Sequence, residues 1–200
     1  MNLIPKNILA LGKQYASGRN VFSKKGVAAV EFALTLPMLI MLLLGVGDGS
    51  YYLLVNEKVD RIAYTVTDMV TQYKSITKAN IEDIFAGASL LMSPFPFASK
   101  GYVVVSSYYL ASGNTNITLC WNMSSTTDAS VASDITISGA TLVLPNGQSL
   151  TINPNENVII SEVYYNFTPM FLSSGLFKSG KIFRLAVYKP RLSLLITAPS

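Results

Sequence analysis

The chain has 200 residues, half of them hydrophobic and only 13% charged, and its formal net charge is +4. This length allows one ordinary domain plus an appendage. A charged fraction well below the soluble average of about 25% indicates a membrane segment joined to a weakly charged domain. Residues 1–26 contain five basic side chains and no acid. Because the net charge arises there, a nucleic-acid surface elsewhere is not implied.

The residue types exclude several kinds of active site. Histidine is absent and Cys120 is the only cysteine. These absences exclude a Ser-His-Asp triad, a Cys-His nucleophile and zinc sites built from His or paired Cys. A Ser-Lys nucleophile stays formally open, but no lysine stands at a useful spacing from an exposed serine. We therefore predict no enzymatic activity, no cofactor and no small-molecule substrate, and we expect Cys120 to be a buried, inert thiol.

An apolar run of 20 residues extends from Val27 to Val46. As a helix it would cover about 30 Å, which is one hydrocarbon thickness. The basic segment before it predicts a cytoplasmic leader, residues 1–26, followed by a transmembrane helix, residues 27–46, and a periplasmic body. Glu31 lies within this run, although a charge at the bilayer centre costs about 2.5–3.5 kcal/mol on insertion scales.

Three interpretations of the run differ in how they account for Glu31. A cleaved secretory signal usually has a shorter apolar core without acids, and a plain signal anchor leaves the carboxylate unexplained. A prepilin-type segment has a basic leader that ends in glycine and a glutamate at the fifth mature position. Counted from Val27, that position is Glu31. A cut after Gly26 would create an ammonium group on Val27, one helical turn from Glu31, and the two charges can neutralise each other.

The sequence GVAAVEFALTLPMLIMLLLGVGDGSYY, which begins at Gly26, resembles the N-terminal segment of TadE-like proteins, the minor pseudopilins of the bacterial tight adherence (Flp) pilus system. The shared pattern is a glycine, four mostly small apolar residues, Glu31-Phe32 and a proline, Pro37, five residues later. The segments VIISEVYYNFTPMF and FRLAVYKPRLS also resemble the family's closing strands. The resemblance implies cleavage between Gly26 and Val27 by a membrane prepilin peptidase.

The same resemblance implies partners and a location. Glu31 and Phe32 would be the assembly residues that contact other pilins or minor pseudopilins. The protein would be a single-pass component of the bacterial inner membrane or of the pilus itself. The size of the chain fits a TadE-like or a TadF-like component, and these two roles stay open.

Beyond the run, the apolar residues recur with helical spacing. The stripe contains Tyr52, Val55, Val59, Ile62, Val66, Met69 and Tyr73, which stand three or four residues apart. It predicts an amphipathic helix that packs on the protein's own sheet; an intermolecular coiled coil is the alternative. The glycines of GVGDG, Gly45 to Gly49, predict a break or hinge before this helix. A second helix is predicted from Asn80 to Met92, so residues 47–98 would contain the hinge and the amphipathic helices.

Residues 99–200 are predicted to form a β-rich periplasmic domain. Four segments rich in Val, Ile, Tyr and Phe predict strands, and Asn146-Gly147 predicts a hairpin turn, giving an antiparallel sheet of four to seven strands. The scattered acids Asp128, Asp134, Glu156 and Glu162 are predicted to be solvated. The fold class is therefore α+β, a long N-terminal helix packed on a C-terminal antiparallel sheet, and its likeness to pilins is an analogy of fold.

The predicted function is a structural and assembly role in a pilus. The alternative is a signal-anchored periplasmic β-domain that binds a sugar or a protein and has no connection to pili. In that case Glu31 would be incidental, and an uncut N-terminus would favour it.

Overall fold

A computed structural model describes residues 24–127, 131, 133–171 and 178–200. The described residues divide into two units, the first ending at Leu44 and the second beginning at Gly45. Most of the predicted leader, and also Asp128, lie outside the described residues.

The first helix, α1, spans Lys24–Thr71 and has 48 residues, with Pro37 inside it. It continues through Gly45 and Gly49, so the predicted break is wrong. A glycine costs a helix interior about 1 kcal/mol relative to alanine, a cost that the helix tolerates here. A Cβ atom on Gly47 would lie 3.4 Å from Cε2 of Phe171.

In the first unit, α1 is apolar and exposed. Its most apolar window of 18 residues has a mean hydropathy of 2.3, and none of that window is buried. The helix is long and apolar enough to span a membrane. A single N-terminal helix of this kind fits a single-pass membrane anchor.

In the second unit, α1 buries one stripe of side chains. The four central residues of the predicted stripe, Val55 to Val66, are buried at 1% exposure or less, whereas Tyr52 and Met69 are exposed. At the C-terminal end Val70 is buried in place of Met69. Ala63 and Thr67 are fully buried as well, so the face that α1 turns to the sheet includes the side of the helix on which Val70 lies. The prediction that this helix packs on its own sheet is confirmed.

Two further helices follow. Helix α2 spans Lys78–Leu91, close to the predicted range, and begins at a capping box. The Thr77 side chain accepts from the backbone N–H of Asn80, and the Asn80 side chain accepts from the N–H of Thr77. This arrangement satisfies backbone donors that would have no partner at a helix start. A single turn, α3, spans Phe97–Lys100.

Seven antiparallel strands form two sheets. The main sheet has the order β2-β1-β6-β7, and the small sheet has the order β3-β4-β5. The strands are β1 Gly101–Leu110, β2 Thr118–Ser124, β3 Thr136–Ser138, β4 Thr141–Val143, β5 Ser149–Thr151, β6 Glu156–Phe167 and β7 Gly180–Tyr188. The predicted hairpin is confirmed between β4 and β5, where Gly147 adopts φ +79°.

Strand β6 is central and buried on both faces. Its alternate side chains enter two cores because neighbouring residues on a strand point to opposite faces. Ile159 and Val163 pack with the stripe of α1 and with α2. Val158 and Ile160 pack with residues of the small sheet, including Leu142. The main sheet is therefore the middle layer of a three-layer α/β/β domain.

Candidate functional site

The four residues predicted for processing and assembly lie at the start of α1. Gly26, Val27, Glu31 and Phe32 are all exposed. A Cβ atom on Gly26 would meet no atom within 4 Å, and the side chains of Val27 and Phe32 are 46% and 60% exposed. This segment is accessible to a peptidase or to another helix.

The helix places Val27 and Glu31 in the predicted relation. Four residues of α-helix advance about 6 Å along the axis and return to the same face. The α-amino group of a chain that began at Val27 would therefore lie beside the Glu31 carboxylate. Removal of the leader by a peptidase is not tested by this geometry and stays a prediction.

A broad apolar surface surrounds Glu31 on the same helix. Its exposed large side chains are Val30, Phe32, Leu34, Leu36, Met38, Leu39, Ile40, Met41, Leu42 and Leu43. A continuous apolar surface of this kind is typical of a segment that contacts lipid or other proteins. Within the described residues of the first unit, Glu31 is the only acidic side chain in this surface.

In the second unit, buried hydroxyl groups join α1 to the main sheet. The Oγ atom of Ser161 on β6 lies 2.7 Å from the carbonyl oxygen of Ala63 and 2.5 Å from Oγ1 of Thr67, and its single hydrogen is donated to one of these two oxygens. Thr67 Oγ1 also donates to the Ala63 carbonyl at 2.7 Å. All three residues are fully buried. These bonds give the helix a defined position on β6, which apolar packing alone specifies less strictly.

Arginine side chains join the outer edges of the same interface. Arg184 on β7 donates to Oδ1 of Asn56 at 2.7 Å, and its Nε lies 3.4 Å from Oδ1 of Asp60. Arg191 pairs with Asp68 further along α1. These groups are partly exposed, so each pair contributes little stability but adds to the register of the helix.

Glu162 corrects one prediction from the sequence. Its side chain is fully buried on the face of β6 that looks toward the small sheet, so the expectation that it is solvated is wrong. The hydroxyl of Tyr164 lies 2.8 Å from Oε1 of Glu162 and 2.9 Å from Oδ2 of Asp134. The backbone N–H of Asp134 donates to the same Oε1 at 3.2 Å. Burial raises the pKa of Glu162 and also that of Tyr164.

The other scattered acids are closer to the prediction. Asp134 is exposed, and Glu156 is half-buried and paired with Lys189. The hydrogen bond with Lys189 lowers the pKa of Glu156. Cys120 is half-buried, not fully buried as expected, and burial raises the pKa of its thiol, which keeps it in the less reactive protonated form.

A polar cleft of about 870 Å³ opens beside α2 and the ends of β1 and β2. Hydroxyl and ammonium groups line much of it, among them Ser124, Ser125, Thr126, Thr127, Lys100 and Lys181. In the part of the chain that the structure describes, no group of three or more Asp, Glu, Cys or His residues could hold a metal ion. The cleft has room for polar ligands or water, and its groups form no recognisable nucleophile and base pair.

These features define a class of protein: a single apolar helix fit for membrane anchoring, continued into an α+β domain. The model of the family described as TadE-like protein matches residues 26–67. The match begins at Gly26 and ends in the packed half of α1, and it confirms the resemblance over that segment. It indicates a structural, pilus-associated protein. No curated protein and no solved structure gives a significant match.

Proposed function

We propose that this chain is a minor pseudopilin, a structural and assembly component of a tight adherence (Flp) pilus, processed after Gly26 by a prepilin peptidase. The observation that carries the proposal is the TadE-like match, which starts at Gly26 itself. An exposed apolar helix that begins at this point supplies the anchor.

The mechanism follows from charge neutralisation in an apolar surface. Cleavage after Gly26 gives Val27 an ammonium group next to Glu31, within one subunit or between neighbours. Glu31 is then the polar element in an otherwise apolar helix face, so it favours one axial register between packed helices. Phe32, which is exposed beside it, supplies a large apolar side chain for the same contact.

Orientation follows from the five basic residues before the run. By the positive-inside rule, residues 1–26 face the cytoplasm and the domain of residues 45–200 is periplasmic. The proposed partners are the prepilin peptidase, other pilins or minor pseudopilins of the same system, and the membrane.

The first test is the N-terminal sequence and intact mass of the protein purified from membranes. A mature chain that begins Val27-Ala28-Ala29 supports the proposal. The variant Gly26→Val should stay uncut, while Gly87→Val, at a half-buried position on α2 with nothing within 4 Å of a Cβ atom, should be cut normally. A chain that begins near Asp48, or one that retains Met1, contradicts the proposal.

The second test addresses assembly. Glu31→Gln should leave insertion intact but reduce co-purification with the other pilins, because the partner of the Val27 ammonium is lost. Glu57→Gln, at an exposed position on the same helix, is the matched control. Equal recovery of partners with both variants would refute the role of Glu31.

The alternative, a signal-anchored binding module, is favoured by one observation, the polar cleft beside α2. Its hydroxyl groups and two lysines are groups that recognise sugars or anions. An uncut N-terminus together with no pilus partners in the purified complex would favour this function.

A further inference from the structure

The segment that follows β6 exposes two large apolar side chains. Met170 and Phe171, which we call the apolar tip, are 67% and 57% exposed. They come directly after a strand whose last residue, Phe167, is buried. Exposed side chains of this size next to each other are typical of surfaces that contact lipid or protein.

Asp48 of α1 holds the apolar tip in place. Its side chain is fully buried. It accepts from the backbone N–H of Met170 at 2.8 Å and from that of Phe171 at 3.1 Å. A buried carboxylate is costly unless hydrogen bonds satisfy it, so this acid stabilises one conformation of the tip. The ring of Phe171 also lies at van der Waals distance from the position of a Cβ atom on Gly47.

The position of Asp48 in the sequence gives the level of the tip. Asp48 comes two residues after Val46, the end of the apolar run, which is about 3 Å along a helix. If residues 27–46 cross a bilayer, Asp48 and the backbone bonded to it stand at the membrane boundary. Tyr52, one turn further, is 37% exposed and packs edge-on against Phe167. Tyrosine is enriched at this level of membrane proteins.

Basic groups flank the apolar tip. Nζ of Lys100 lies 3.4 Å from Oγ1 of Thr168. Lys178, two residues before β7, and Lys181, which pairs with Asn166 near the end of β6, are exposed. Lys181 also stands 4.1 Å from the ring centroid of Tyr164. Apolar side chains bordered by ammonium groups match the two layers of a phospholipid surface, acyl chains and phosphate groups.

We propose that the apolar tip inserts into the phospholipid surface of the membrane that α1 spans, as a second attachment of the domain. This inference rests on the membrane anchor of the proposed function. Lipid is favoured over a protein partner because the tip is bonded to Asp48, which stands only two residues after the end of the apolar run.

The test uses the full chain reconstituted into phospholipid vesicles at low protein-to-lipid ratio, in a Cys120→Ala background. Single cysteines are labelled with a polarity-sensitive fluorophore at Phe171→Cys, at Leu39→Cys in the apolar run, and at Asn114→Cys. Asn114 is exposed in the turn after β1, at the opposite end of the main sheet from Phe167. Strand β6 separates the two ends by about 36 Å, at 3.3 Å per residue.

We expect a blue-shifted emission for the probes at 171 and 39 and emission in water for the probe at 114. Lipids that carry a spin label near the headgroup should quench the probe at 171 more than lipids labelled deep in the acyl chain, and the reverse should hold at 39. Emission in water at 171 with a lipid signal at 39 overturns this inference and leaves the anchor intact. Emission in water at both positions overturns the anchor as well.

A contact with another protein copy is a distinct outcome. A blue shift at 171 that disappears on dilution with lipid and is insensitive to spin-labelled lipids overturns the lipid proposal. Asp48→Asn supplies a second measurement: loss of the carboxylate should reduce headgroup quenching at 171 without changing the signal at 39. An unchanged quenching pattern at 171 contradicts the role of Asp48 in placing the tip.

Discussion

The two halves of α1 bury side chains in different ways. In the half up to Leu43, every residue from Gly26 onward is exposed. In the half from Gly45 to Thr71, a stripe of apolar side chains is completely buried and the opposite side carries charges. A helix that packs on its own domain buries one stripe of side chains with helical spacing. A helix that lipid or partner proteins cover is apolar all round and exposed in the isolated chain.

The largest expected effect separates the two halves directly. Ile62→Ala should lower the free energy of unfolding of the second unit by about 2–5 kcal/mol, because it leaves a cavity in a fully packed core. Ile40→Ala should change it by less than about 0.5 kcal/mol. Denaturant unfolding of the full chain in detergent, followed by the fluorescence of the single, buried Trp121, measures both. Similar losses in the free energy of unfolding for Ile62→Ala and Ile40→Ala would show that the two halves of α1 do not differ in how they are packed.

Two threonines give a smaller, matched effect. Thr35 donates to the carbonyl of Phe32 at 3.1 Å, and Thr67 donates to that of Ala63 at 2.7 Å. Only Thr67 also contacts a strand, through Ser161. Thr67→Val should therefore cost the second unit about 0.5–1.5 kcal/mol, since the buried hydroxyl contact with β6 is lost while Ser161 keeps the Ala63 carbonyl as its acceptor, and Thr35→Val should cost nothing measurable in the same unfolding assay. A Thr67→Val protein as stable as the wild type would contradict this account.

A buried and an exposed glutamate should affect the pH dependence of stability differently. Burial raises the pKa of Glu162, so the folded protein binds more protons than the unfolded chain between the ordinary glutamate pKa and the raised one. Stability should therefore fall as pH rises through that window. Glu162→Gln should remove this decline, with Glu57→Gln as the exposed control, in urea titrations at a series of pH values. Asp134, Tyr164 and Tyr108 surround the carboxyl group.

The wild type should also show an opposite slope at lower pH. Lys189 lowers the pKa of Glu156, so its contribution is lost as pH falls through that lowered value. Subtracting the Glu162→Gln curve from that of the wild type isolates the buried group. Parallel curves for the two proteins would show that Glu162 does not titrate differently on folding.

The smallest effect is expected at the exposed edge of the helix and sheet interface. Arg191→Ala removes the ion pair with Asp68. The side chain of Arg191 is 61% exposed and that of Asp68 is 37% exposed. Exposed pairs contribute about 0.2–1 kcal/mol, and added salt should reduce the difference between variant and wild type. A loss larger than that of Thr67→Val would show that the edge, and not the hydroxyl contacts, fixes the helix.

Periodicity predicted α1 well because its signal is local. The apolar run and the residues from Val55 to Val66 follow from spacing alone. The continuity of α1 through Gly45, Gly47 and Gly49 was not predicted, because glycines are local signals for a break. The burial of Glu162 was missed because residues distant in sequence, Ser133 and Asp134 in the segment before β3, lie against its carboxyl group. The run VIISEVYYNF, apolar at both alternations around the acid, was the available signal.

The candidate site residues were also predicted where the signal is local and missed where it depends on distant parts of the chain. Gly26, Val27, Glu31 and Phe32 were located from a sequence pattern, and the structure places them on an accessible helix. The chemistry proposed for them would involve a peptidase and neighbouring subunits, which the fold of one chain does not contain. The link from Asp48 to Met170 depends on residues 122 positions apart, which no local pattern indicates.

The hydroxyl contact between Thr67 and Ser161 also has a kinetic consequence. It joins residues 94 positions apart, and the central pair of strands, β1 and β6, is itself non-local. Such contacts require closure of long loops before any stabilisation is gained, and domains of this kind fold in about milliseconds to seconds, whereas helical bundles fold faster. The amphipathic half of α1 is synthesised well before β6. We therefore expect its apolar stripe to stay uncovered until β6 has been synthesised and can pack on it.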